Sequence, residues 1–394
     1  MEDIFRDSPF YFYIRVMKWF GQWPFQSKME SNIRKYLIIS LLLSIFVPSI
    51  IKFYEFRNDV YKMMDCIPML GLHLASISKF INWSYHHEKI EQLLMHMQYD
   101  WSNLRNKFDA DILEKFRRPS QILYVIYAII GIYGTTAVYL VTPLVPIILN
   151  IVLPLNESRP HVYVYHTEYF VDQNKYYYPI QLHAYMTIPV SVTCLVAFDQ
   201  MCAMFIQHAC GMLEILKMHL QNLHATFLAN DGTALSLREE AVAKEIIYCV
   251  RIHNRIFKFL EIVEHWDQVV LLIVGAGNTM TLTACGVGAI LNKPDFLGFV
   301  RLTLFNFGGT MHLFYNCWQG HLILEQGESI FILAYQNEWY ELPCHLQRML
   351  LPIMAKSMKP REITACKLFP MSLATFGMAM RASLSYFTLF KSMK

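Results

Sequence analysis

His86, His87 and Glu88, with His96 beyond them, and the later group Glu261, Glu264 and His265 are the side chains best equipped to hold a metal or move a proton. A zinc helix needs His-Glu-x-x-His and a di-iron bundle needs Glu-x-x-His, so that the donors converge from one helical face. Neither spacing occurs in these groups. Gly275-Ala276-Gly277 and Gly286-Val287-Gly288 look like fragments of a phosphate-cradling loop, but no strand precedes them and both sit inside an apolar run. Close helix packing is the expected use of such glycines. No Ser, Cys or Thr stands with a paired base. The sequence offers no catalytic residue, no metal set and no cofactor motif, so an enzyme is not the expectation.

A different chemistry remains, that of ionisable groups inside apolar runs. Arg381 lies midway along the apolar run 368–390, about 15 Å deep at 1.5 Å per residue, where an arginine costs roughly 2.5–3.5 kcal/mol to insert. It must face an aqueous vestibule or a neighbouring helix, or pair with a backbone carbonyl or an acid. His73 interrupts another run, and a buried imidazole is either satisfied by a local partner or offered to a ligand. Lys79 stands close to the end of the same run, where its stem can carry the ammonium to the interface.

The elements that position these groups are long apolar segments. The chain is 55% hydrophobic and only 16% charged, whereas soluble domains carry charge on about a quarter of their residues. Runs long enough to cross roughly 30 Å of hydrocarbon occur at 33–53, 66–85, 122–141, 182–206, 269–291, 296–318 and 368–390. The expected fold is all-α, a polytopic membrane protein of seven transmembrane helices. Lys and Arg favour one side of these spans by roughly three to one, which places the N-terminus in the cytosol. Acidic and basic residues precede the first run, so no signal peptide is expected and that run serves as its own insertion signal. Asn156-Glu157-Ser158 then falls in an external loop as a glycosylation sequon at Asn156, in agreement with the charge asymmetry. A second sequon at Asn82 sits at the inner end of a span and is read as a chance match.

Pro143, Pro146 and Pro154 suggest that the third span gives way to irregular structure at the outer surface. Between spans four and five, Leu213, Leu216, Leu220, Leu223 and Phe227 recur at helical spacing, as do Ile246, Val250, Ile256, Leu260 and Val263. Asn230-Asp231-Gly232 is the expected turn between them, with Ser236 as N-cap and Glu239 completing a capping box. The segment 322–360 adds Ile330, Ile332, Trp339, Leu346, Leu350, Leu351 and Met354. A cytosolic helical bundle built from extensions of helices 4 to 7, and used also for subunit contact, follows from these unpartnered apolar faces. The functional division is expected at 1–320 and 321–394. Net charge of +3 without a basic stripe leaves nucleic acid aside as a partner.

Two sets of residues, together with the topology, bear a resemblance to the insect odorant receptor family. Glu328-Ser329, Ala334-Tyr335, Trp339-Tyr340, Arg348, Met354, Ser357, Pro360, Ala365, Phe369 and Ser385-Tyr386-Phe387 follow in an order similar to that family's C-terminal signature. Gly21-Gln22-Trp23-Pro24 looks like its GxWP element, and the inside N-terminus with seven spans is its arrangement. The resemblance implies a subunit of an odour-gated, non-selective cation channel in the plasma membrane of olfactory sensory neurons. It also implies a heterotetramer with the co-receptor Orco, in which this chain is the odorant-tuning subunit. Its partners would be a small volatile odorant, permeant cations and the bilayer. A G-protein-coupled receptor is disfavoured by the orientation and by the lack of DRY and NPxxY motifs. A gustatory receptor would close on TYxxxxxQF, and the glutamine is missing here.

The family lines its pore with the last helix, which on this chain implies Leu389, Ser392 and Met393 at the gate on one helical face, with Arg381 above them and Lys391 a departure from an apolar ring. A constriction of apolar side chains closes a pore by dewetting. The odorant pocket is implied among spans two to six in the outer half of the membrane. Residues at that depth are Met69, Leu72 and His73, then Tyr133, Thr136, Ala137 and Leu140, then Tyr185, Met186 and Pro189, then Thr283, Thr303 and Phe307.

Overall fold

The computed structural model describes residues 10–153, 159, 161–229, 235–291 and 296–392. A short amphipathic helix α1 (Phe10–Trp19) precedes the first span α2 (Lys28–Glu55), followed by α3 (Val60–Tyr85) and the inner helices α4 (His87–Ser102) and α5 (Lys107–Val125). The third span continues from α5 through a π-helical stretch, Ile126–Gly134, into α6 (Thr135–Val141), and α7 (Leu144–Val152) follows. Then come α8 (Tyr177–Gln221), α9 (Leu223–Ala229), α10 (Leu235–Leu291), α11 (Phe296–Gln336) and α12 (Cys344–Ser357). A two-residue hairpin, β1 (Thr364–Ala365) and β2 (Phe369–Pro370), leads into the last helix α13 (Leu373–Ser392).

Helices α8, α10 and α11 hold 45, 57 and 41 residues. At 1.5 Å per residue they are about 67, 85 and 60 Å long, twice or more the hydrocarbon thickness. Each must therefore leave the membrane as a continuous rod. Their inner ends pack with α12 around Leu213, Leu216, Leu220, Ile246, Leu260, Ile330, Leu346 and Leu350, all buried. Ile332 and Leu351 of the same segment stay about half exposed. Among the described residues, five segments are long and apolar enough to cross a membrane by composition alone: Lys28–Asn58, Lys62–Tyr85, Ile122–Val141, Tyr177–Gln221 and Leu235–Ala289. The sixth and seventh spans, in α11 and α13, dilute their hydropathy with Arg301, Asn306 and His312 and with Arg381 and three serines.

The Gly21-Gln22-Trp23-Pro24 element is a folded corner. Gly21 takes φ +73°, and a Cβ there would stand 2.4 Å from the Ser31 carbonyl oxygen, so only glycine fits. Ser31 Oγ donates to the Gly21 carbonyl at 2.6 Å, Trp83 Nε1 donates to the Gln22 carbonyl at 3.0 Å, and Trp23 is buried. The corner pins α1 and α2 to the inner end of α3.

Four expectations change. The last span begins at Leu373 rather than 368, because residues 364–370 form the hairpin, with Leu368 N–H bonded to the Ala365 carbonyl at 3.0 Å. Hydropathy cannot separate an apolar strand from the start of a helix. The segment after Val141 is the short helix α7, with Pro143 just before it, where a missing N–H costs nothing. Ser236 is already helical in α10, whose described start is Leu235, and the Asn230-Asp231-Gly232 turn lies outside the described residues. Finally, a Cβ on Gly275 or Gly277 would meet nothing within 4 Å, so neither position needs a glycine for packing within the single chain, whereas a Cβ on Gly288 would come 3.2 Å from Leu302. Asn82 is engaged inside the bundle, its amide donating to the Trp266 carbonyl at 3.1 Å.

Candidate ligand cavity and pore helix

Between α3, the third span, α8, α10 and α11 lies a cavity of about 60 Å³ in the middle and outer half of the bundle. Its walls are set by close backbone crossings. A Cβ on Gly71 would come 2.6 Å from Thr281 Oγ1, and one on Gly308 would come 3.0 Å from Thr135 Oγ1 and 3.1 Å from the Gly131 carbonyl. Thr135 also returns its hydroxyl to the Gly131 carbonyl at 2.8 Å, inside the π-helical stretch, a feature that often marks functional segments. The lining is mostly apolar, with hydroxyls from Thr135, Thr136, Tyr139 and Thr281 and a polar end where Asn278 and His312 meet at 3.0 Å.

Below that polar end the bundle buries a charged network. Lys79 and Asp199 form an ion pair with side chains 4% and 0% exposed. Tyr127 O–H donates to Asp199 Oδ2 at 2.6 Å, and His312 Nε2 lies 3.1 Å from the same oxygen without an aligned hydrogen bond. Tyr127 and Tyr315 stack with ring centres 4.0 Å apart, and Tyr315 O–H reaches Gln200 at 3.3 Å. His312 thus touches both the cavity and the ion pair, linking four of the spans. Buried charge is tolerated only where such partners saturate it.

Of the residues expected around a ligand, Met69, Leu72 and Thr136 line this cavity. His73 is fully buried beside it, its Nδ1 3.0 Å from Ser191 Oγ and its ring 6.0 Å from that of Tyr165, while Nε2 has no hydrogen-bond partner among the described residues. Tyr185 O–H donates to the Leu140 carbonyl at 3.0 Å, which joins α8 to the third span. Tyr133 is half-buried in the π-helical stretch. Thr283 faces the last helix instead, 3.3 Å from Ser383 Oγ. Ala137, Met186, Pro189, Thr303 and Phe307 turn to the outside of the single chain. Sequence reasoning passed over Asn278, Thr281, Phe305, His312 and the Asp199 network. The signal was available, since His312 and Asp199 are ionisable groups inside apolar spans, the criterion that singled out His73.

Along α13, Leu389 and Ser392 are exposed on the single chain, and Met393 lies outside the described residues, as does Asn156. Arg381 is exposed too, with its Nε donating to the Gly377 carbonyl of its own helix at 3.2 Å. Phe387 packs on the small face of Gly286 and joins the last helix to α10.

A helical, seven-span bundle with an inner extension and a mostly apolar cavity is a multi-pass membrane receptor architecture. The family model described as "7tm Odorant receptor" matches residues 59–384, and the chain belongs to that family. Among curated relatives it is 22% identical over 341 residues to odorant receptor 13a of Drosophila melanogaster, covering 83% of this chain and 78% of that one. It is 34% identical over 148 residues to odorant receptor 10 of Aedes albopictus, covering 37% and 39%. The fold matches the solved olfactory receptor OR5 of Machilis hrabei in complex with eugenol at a TM-score of 0.80, 15% identity and coverage of 97% and 96%.

Proposed function

We propose that this chain is the odorant-tuning subunit of a cation channel formed with the co-receptor Orco in the plasma membrane of olfactory sensory neurons. The observation that carries this reading is the cavity among spans two to six, mostly apolar, with threonine hydroxyls along its walls and the Asn278–His312 pair at one end. Such a site suits a small volatile molecule with a hydrocarbon body and one hydrogen-bonding group. Its 60 Å³ is well below the roughly 300–1,000 Å³ of drug-sized pockets, so binding requires lining side chains to move apart. Movement at α10 and α11 is passed to α13, which packs on both. In this reading residues 1–320 bind ligand, residues 321–394 anchor the subunits and line the pore, and Leu389, Ser392 and Met393 form the gate with Arg381 in the vestibule.

The test is co-expression with Orco and current recording across a chemically varied odour panel. Odour-evoked cation current that needs both chains, and that Thr136→Trp abolishes without loss of surface protein, supports the reading. Current from Orco alone matching that of the pair would overturn it.

A further inference from the structure

Three spans reach the cytosolic membrane surface around one open basin of about 730 Å³. Lys89 lies in the first turn of α4, four residues beyond the end of α3, Gln268 lies on α10 next to its apolar span with Lys258 ten residues further from that span, and Arg361 and Lys367 precede α13.

The charge in the basin is unevenly satisfied. Glu261 and Glu264, its two carboxylates, are both held by Arg361 at 3.4 Å, and Glu264 also accepts from Thr364 Oγ1 at 2.8 Å. Among the described residues, Lys89, Lys258 and Lys367 have no carboxylate within ion-pair distance. Three ammonium groups from three separate elements therefore border one wet concavity without a counter-charge of their own. Lys367 is presented by the hairpin turn, where Cys366 and Lys367 both take positive φ, 51° and 59°. Such a turn ordinarily uses Asn or Gly at both places, so a lysine there is held in position against its backbone preference.

We propose that this basin binds the polyphosphorylated headgroup of an anionic inner-leaflet phospholipid. Cytosolic basic pockets at this depth recognise phosphates through point charges on lysine, each adding to the attraction of the negative leaflet. A headgroup with several phosphates can engage α4, α10 and the hairpin together. The lipid then braces the turn that leads directly into α13, so the inner leaflet bears on the last helix. Binding at the basin can be tested apart from the odorant reading, since none of its residues lines the cavity or forms the gate.

The test uses the full-length chain in nanodiscs of phosphatidylcholine, with and without a minor fraction of phosphatidylinositol bisphosphate, and reads bound lipid by native mass spectrometry. The combined variant Lys89→Gln, Lys258→Gln and Lys367→Gln is expected to retain the bisphosphate lipid on the order of a hundredfold less well, from about fivefold per lysine. The corresponding Lys→Arg variant should stay within a few-fold of wild type and shows that the fold survives, and Lys107→Gln with Lys244→Gln should change nothing. Undiminished retention by the triple Gln variant overturns the proposal. So does soluble inositol trisphosphate binding as tightly as the lipid, which would make the ligand a free phosphate.

Discussion

Replacing Asp199 by leucine removes the acid at the centre of the buried network, and the structure fixes how much worse this is than removing its partner. Lys79 has Asp199 as its only ion-pair partner among the described residues, whereas Asp199 also takes the Tyr127 hydroxyl at 2.6 Å and His312 at 3.1 Å. Asp199→Leu leaves an orphan ammonium in a site 4% exposed, and breaking a buried pair in this way costs about 3–5 kcal/mol. Lys79→Met leaves a carboxylate with two surviving partners, so it falls at or below about 3 kcal/mol. For a chain of 394 residues, an unfolding entropy of about 2.1 cal/mol/K per residue turns 3–5 kcal/mol into a melting shift of roughly 4–6 °C. The double variant Lys79→Met/Asp199→Leu should recover part of that loss, since it leaves no ammonium without its acid; it strands the Tyr127 hydroxyl, at about 1–3 kcal/mol, while His312 loses Asp199 but keeps Asn278. Fluorescence-detected size-exclusion melting of the solubilised receptor gives the ranking directly. If Asp199→Leu is no worse than Lys79→Met, or if the double variant is as unstable as Asp199→Leu alone, the pair is not coupled and the reasoning fails.

His312→Phe removes one of the two groups at the polar end of the cavity and is expected to weaken responses to alcohols and esters by about tenfold, the worth of one hydrogen bond of roughly 1.4 kcal/mol, while responses to hydrocarbons hold; equal loss for both ligand types in dose–response currents would count against it. Gly21→Ala places a methyl 2.4 Å from the Ser31 carbonyl oxygen at a φ of +73°, so surface expression should collapse, and wild-type expression would show that the corner can relax. Leu389→Ala should raise current in the absence of odour by thinning the apolar gate, as read in paired recordings at equal surface density. Burial raises the Glu168 carboxyl, but the Lys52 hydrogen bond at 3.0 Å, the Phe170 N–H and the Lys52 charge outweigh it and hold it below its ordinary value. A depressed carboxyl stabilises above its unfolded value of about 4.3 and loses that contribution as pH falls through the folded one. The outer loop should therefore stay tied to α2 at neutral pH and loosen only in strong acid, with Glu168→Gln loosening it at neutral pH. Hydrogen exchange over 166–173 distinguishes these states, and unchanged protection in the variant would show that the tie carries nothing.

Seven spans, their orientation and the cytosolic extensions were legible in the chain, because hydropathy and charge bias act segment by segment and need no knowledge of neighbours. The corner at Gly21 and the aromatic pair Tyr386 and Phe387 were visible as motifs for the same local reason. Contact between helices was not. His73 stood out in its span as a group in need of a partner, and only the packed bundle supplies Ser191 at 3.0 Å. Asp199 and His312 lie over a hundred residues apart on helices whose faces are nearly alike in composition, so nothing along the sequence says that they meet. Gly275 and Gly286 sit in similar triplets, yet one faces open space and the other a phenylalanine ring. The sequence by itself determined what must lie in lipid and which way it runs. Which polar groups share a cavity, a buried ion pair or a headgroup basin was decided by the rotation and crossing of the helices, set by side-chain packing rather than by transfer from water.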